Sequence, residues 1–88
     1  MARFLVEAHH VPEDCVRDLD SILGMSRELL GRFDWGCKHG EHIGWAVVEA
    51  QDQATARRLL PTTFRDKARV FQLTKFTPED VKSFQAGH

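Results

Sequence analysis

The chain has 88 residues, 42% hydrophobic and 28% charged, with a formal net charge of -1. Residues 1–88 therefore make one domain with a single modest core, which excludes tandem domains, and the near-zero charge gives no bulk attraction to nucleic acid or anionic membrane. No apolar run approaches the roughly 20 residues of a membrane span, and Met1-Ala2-Arg3 leads into a short apolar run holding Glu7, unlike a signal peptide, so the expected compartment is the cytoplasm.

Phe4 to His9 reads as a first strand, apolar except for Glu7, and Pro12 with Glu13 and Asp14 behind it marks a helix start. Cys15, Val16, Leu19, Ile22, Leu23, Ser26, Leu29 and Leu30 recur at helical spacing, which predicts a helix over 12–30 with Gly31 as its C-cap. Gly24 costs about 1 kcal/mol relative to Ala inside a helix. A break near it, with the second strand starting earlier, is the competing reading.

Residues 33–50 read as two strands joined by a tight turn at Gly40. From Ile43 to Val48 there is no polar side chain, whereas a strand with one face in water alternates, so this strand is expected to be central and covered on both faces. Asp52 caps a helix over 53–60 that Pro61 stops, 61–67 is a loop, and Ala68 to Lys75 is a last strand. Thr77-Pro78-Glu79-Asp80 then starts a short terminal helix carrying Val81 and Phe84.

This order, βαββαβ plus a helix, predicts an α+β fold of the ferredoxin-like kind: a four-stranded antiparallel sheet in the order 4-1-3-2 with two helices on one face. The central strands are apolar on both faces, and a second copy of the same sheet is the simplest cover for the other one. The expected partner is thus a second copy of the chain, joined through the sheet faces.

Arg3-Phe4-Leu5-Val6-Glu7, the helix, Asp34-Trp35-Gly36 through Glu49 and the closing strand together resemble small bacterial members of the dimeric α+β barrel superfamily, in particular domains whose relatives include a nickel-binding protein. The resemblance covers nearly the whole chain and is carried by apolar pattern and spacing. It implies the barrel fold and the homodimer. The superfamily also includes muconolactone isomerase-like enzymes and cofactor-free monooxygenases, so the resemblance does not choose an activity.

In this topology the end of strand 1, the start of helix 1 and the turn between strands 2 and 3 share one rim, which collects His9, His10, Cys15, Cys37, His39 and His42. Two cysteines do not make a disulfide framework. Imidazole and thiolate from His10, Cys37, His39 and His42 suit a borderline divalent ion such as nickel or zinc, while turn residues and a buried thiol are the plain alternative. Cys15 falls on the apolar stripe and reads as a packed thiol.

Pairing strands 1 and 3 with Arg3 opposite Glu49 matches charges across the ladder and sets Glu7 opposite Trp45 and His9 opposite Ile43. Phe4, Val6, Ala8, Gly44, Ala46 and Val48 then lie under the helices, with Leu5, Glu7, His9, Trp45 and Val47 on the second face. A two-residue turn sends Cys37 and His42 to the helix side. Glu7 in an apolar strand must be paired, hydrogen-bonded or used. Arg69 or Arg3 would make it a structural ion pair; as a general base beside His9, in a pocket lined by Leu5, Trp45 and Val47, it would serve a cofactor-free isomerase or monooxygenase-like enzyme acting on a small hydrophobic carbonyl compound or lactone. Both tryptophans read as core or interface aromatics.

RNA-recognition motifs share the βαββαβ order, and Gly44-Trp45-Ala46-Val47-Val48 partly matches the core of their third strand. Val47 stands where a second stacking aromatic is needed, and Arg57, Arg58, Arg65, Lys67 and Arg69 read as a solvated face, so nucleic acid is not an expected partner.

Overall fold

The computed structural model describes residues 1–87. Four strands, β1 (Ala2–His9), β2 (Asp34–Trp35), β3 (Ile43–Ala50) and β4 (Arg69–Leu73), form one sheet in the order β2-β3-β1-β4 with every neighbouring pair antiparallel. This is an α+β fold, and the order is the expected one read from the other edge. β1 and β3 pair with Arg3 opposite Glu49, Glu7 opposite Trp45 and His9 opposite Ile43, the register that charge matching predicts.

Period-two alternation then fixes the core. Phe4, Val6 and Ala8 of β1 and Ala46, Val48 and Ala50 of β3 are buried, together with Val70 of β4. They pack with Ile22, Phe33, Ala56, Leu60 and Phe64 from the segments between the strands. Each fully buried Phe, Ile or Leu stabilises the fold by about 1.5–3 kcal/mol relative to leaving it in water. Leu5, Glu7, His9 and Trp45, on the other face, are only half-buried, and Val47 (50% exposed) and Phe71 (39% exposed) stand open to solvent.

The helical segments depart from expectation in physically traceable ways. The helix predicted over 12–30 is a 3₁₀ turn at Pro12–Asp14 followed by α1 (Cys15–Met25) and α2 (Arg27–Arg32). The break falls at Ser26, not Gly24: Ser26 is extended (φ -166°, ψ 122°) and its hydroxyl accepts the Leu29 N–H at 3.1 Å, so it caps a new helix instead of continuing the old one. Gly31 lies within α2 and is not the C-cap, a place taken by Phe33. Nor does the second strand start earlier; it is two residues long.

Asp52 caps α3 (Gln53–Arg58) by accepting the Thr55 N–H at 2.7 Å, a bond that holds its carboxyl below the usual range. The segment predicted as a loop contains α4 (Thr62–Arg65), anchored by the fully buried Phe64. The basic run is partly structural. Arg57 donates to the Arg65 and Ala68 carbonyls at 2.7 and 2.6 Å, and Arg65 donates to the Leu60 and Arg58 carbonyls at 2.7 and 3.1 Å, so these guanidinium groups stitch 57–68 together. β4 is shorter than the strand expected over Ala68–Lys75. Thr77 and Asp80 exchange side-chain-to-backbone bonds of 2.9 and 3.1 Å at the start of α5 (Pro78–Gly87). Among the described residues no helix is long and apolar enough to cross a membrane.

Candidate metal centre

Three segments meet at the rim of the sheet on its helix-covered side. His10 follows β1 by one residue, and its N–H donates to the His42 carbonyl at 3.2 Å, carrying the β1–β3 ladder one step past His9 and Ile43. Continuing the alternation of Phe4, Val6 and Ala8 turns the His10 side chain inward, and it is buried. His42 stands in phase with Gly44 and Ala46 on the same side, half-buried. Cys15, also half-buried, is the first residue of α1, placed there by the 3₁₀ turn that Pro12 starts.

The connection between β2 and β3 is not a two-residue hairpin turn. Cys37–His39 winds as a 3₁₀ turn closed by Gly40, whose φ of 91° lies in the left-handed region that favours glycine. The Gly36 carbonyl accepts from both the His39 and Glu41 N–H groups, at 2.9 and 3.0 Å, and the Gly36 N–H donates to the Ile43 carbonyl at 3.0 Å. This winding keeps the Cys37 side chain partly buried and leaves Lys38 and His39 exposed. Gly44 sits under the Trp35 ring, where a Cβ would collide with it, and that ring stacks on Phe33 at 5.2 Å.

The ligand-type atoms of His10, Cys15, Cys37 and His42 lie within 4.8 Å of one another. Cys37 Sγ is 3.3 Å from His10 Nε2, and the His10 ring meets His42 edge-on at a centroid distance of 5.3 Å. Phe64 and Trp35 approach the His10 ring at 5.9 and 6.1 Å, giving the cluster an aromatic floor. With metal–nitrogen and metal–sulfur bonds of about 2.0–2.3 Å, donors around one tetrahedral ion stand about 3.3–3.8 Å apart. The widest separation in the cluster needs a contraction of about 1–1.5 Å to close on an ion.

Electrostatics at the rim favours the uncharged protein. Burial pushes the His10 pKa down from its ordinary value, and the neighbouring His42 adds to the drop. Burial, and then the adjacent Cys15 thiol, push the Cys37 pKa up. Both groups are thus neutral near pH 7, and an ion that takes the thiolate must displace a proton. Nδ1 of His10 and of His42 are buried and make no hydrogen bond of good geometry, as is Oδ1 of Asp18 behind them. A cavity of about 410 Å³, lined among others by Leu19, Leu30, Phe33 and Trp35, opens onto Cys37 from outside.

Three of the four metal ligands expected from sequence, His10, Cys37 and His42, are therefore brought together. His39 is not among them, because the 3₁₀ turn points it to solvent, and Cys15 takes its place. The sign of Cys15 in the sequence is its position in the first helical turn, directly after the segment carrying His10; the apolar stripe alone reads it as packing.

Glu7 and His9 lie on the opposite face, where His9 Nε2 is 3.1 Å from Glu7 Oε1 and Arg69 Nη1 is 3.9 Å from the same oxygen. Leu5, Trp45 and Val47 share that face, Leu5 and Trp45 half-buried and Val47 exposed. No family model matches the chain, and neither does any curated protein or solved structure.

Proposed function

We propose that this chain is a transition-metal-binding protein in which His10, Cys15, Cys37 and His42 hold one ion, zinc in preference to nickel, on a ferredoxin-like fold. The observation that carries the reading is the approach of four ligand-type atoms to within 4.8 Å of one another, drawn from three separate segments. Two thiolates and two imidazoles suit a tetrahedral zinc ion, and Mg²⁺ and Ca²⁺ prefer oxygen donors. Four protein donors leave no open coordination position, so the ion serves structure or sensing and not hydrolysis. A reducing cytoplasm would keep both thiols available. The open sheet face, with Leu5, Trp45, Val47 and Phe71, fits a second copy of the chain, giving a dimeric α+β barrel.

Calorimetric titration of tag-free protein with Zn²⁺, Ni²⁺ and Mg²⁺ at pH 7.5 tests the reading. The expected outcome is one Zn²⁺ per chain, loss of binding in Cys37→Ser and His42→Ala, and no change in His39→Ala. Equal binding by Cys37→Ser, His42→Ala and the wild type would overturn it. A second reading, a cofactor-free isomerase or monooxygenase-like enzyme, has the Glu7–His9 contact of 3.1 Å in its favour. A thermal shift with small lactones that Glu7→Gln abolishes would support that alternative.

A further inference from the structure

Asp18 is the one carboxylate in the described core: its side chain is 0% exposed. It lies three residues beyond Cys15 on α1, and residues at that spacing share a helix face, so Asp18 looks toward the same rim as the Cys15 thiol. Its neighbours on that stripe, Leu19 and Ile22, are apolar. Its Oδ2 is 3.5 Å from Lys67 Nζ; Oδ1 has only a long 3.5 Å approach from Arg17 Nε and no hydrogen bond. A buried carboxylate oxygen left without a hydrogen bond is costly to the fold.

His10 shows the complementary deficit. Its Nε2 is the nitrogen turned toward Cys37, at 3.3 Å, which leaves Nδ1 on the far side, buried and without a hydrogen bond of good geometry. Cys15 joins the two: its thiol belongs to the same 4.8 Å cluster as the His10 ring, and Asp18 stands one helical turn further along α1 on the same face. Metal-bound histidines generally donate their other ring N–H to a carboxylate or carbonyl, which fixes the tautomer and aims the ligating nitrogen. The Ala8 carbonyl is the competing acceptor within reach of the ring.

We propose that Asp18 is the positioning residue of the metal centre: its carboxylate accepts the Nδ1–H of His10 when the ion is bound and holds Nε2 toward it. This role rests on the metal-binding reading above. Lys67 then neutralises the pair from behind, and the unpaired atoms of His10 and Asp18 satisfy each other.

The test measures zinc affinity by competition with a chromogenic chelator, alongside the ring-nitrogen NMR signals of His10, in wild type and Asp18→Asn. The expected result is zinc binding weakened about 10- to 100-fold at unchanged stoichiometry, with a shifted His10 Nδ1–H resonance. Unchanged affinity and an unchanged His10 signal in Asp18→Asn would overturn the role of Asp18 while leaving the metal site standing. A wild type that binds no zinc removes the site itself and this inference with it. If Asp18→Asn does not fold, the zinc-loaded wild type decides: a His10 Nδ1–H held by the Ala8 carbonyl, with Asp18 on Lys67 alone, overturns the proposal.

Discussion

The two faces of β1 handle polar side chains in opposite ways. On the open face Glu7 finds His9 at 3.1 Å and Arg69 at 3.9 Å, with solvent nearby to complete its hydrogen bonds. On the helix-covered face the same alternation delivers His10 to a place where it, His42 and Asp18 each keep a buried polar atom without a hydrogen bond. Residue type alone does not separate the two, since each holds a histidine and a carboxylate. The separation lies in what remains unsatisfied: the open-face groups are paired within the chain, whereas the helix-covered face keeps buried polar atoms without partners beside two thiols.

The largest effect that sharpens this contrast is metal loading. Zinc at a thousandfold excess over its dissociation constant should stabilise the wild type by about 4 kcal/mol in denaturant melts, an increment removed by chelator and absent in Cys37→Ser. Glu7→Gln should keep the whole increment; losing it there would erase the distinction between the faces. Next in size is assembly. Leu5→Asp and Val47→Asp place charges on the face assigned to the second chain, each forfeiting about 1.5–3 kcal/mol of apolar burial per side chain, and sedimentation should report folded monomers. Dimers persisting in both variants would show that this face is not the contact.

The smallest effect is the pH response of the metal-free protein. His10 is depressed below its ordinary value of 6.5, so as pH falls through that value the unfolded chain takes up a proton that the fold refuses. Stability is therefore full above about pH 6.5 and declines below it until the folded-state value is passed. Thermal melts between pH 7.5 and 5 should show the decline, and His10→Gln should flatten it. Zinc-loaded protein should show a steeper loss over the same range, because protons compete with the ion for both imidazoles and both thiolates.

Much of this was legible in the sequence because it follows from period-two alternation and charge pairing. Arg3 opposite Glu49 fixes the register, the register fixes the faces, and the faces send His10 and His42 inward. What was not legible depends on local competition that pattern reading does not resolve. Ser26 interrupts a helical stripe because its hydroxyl finds a backbone donor three residues on, a choice worth about 1 kcal/mol. The 36–42 connection could have been an extended hairpin; Gly36 accepting two N–H groups makes it a 3₁₀ turn, and that winding leaves His39 in solvent, outside the cluster of His10, Cys15, Cys37 and His42.

The shortness of β2 has a consequence for how this chain meets its own copies in the test tube. β2 covers β3 only at Gly44 and Trp45, while β1 pairs with β3 along its whole length, from Ile43 to Ala50. Among the described residues no strand pairs with the outer side of Ala46 to Ala50, so an apolar stretch presents a bare ladder edge, the kind of surface on which fibrils and swapped strands start. Arg32 and Glu49, which border a surface hollow with Val47 at that edge, are the charges that guard it. Anything that loosens the 36–42 connection would free Asp34 and Trp35 from β3 and lengthen the exposed edge, coupling the rim to the solubility of the chain.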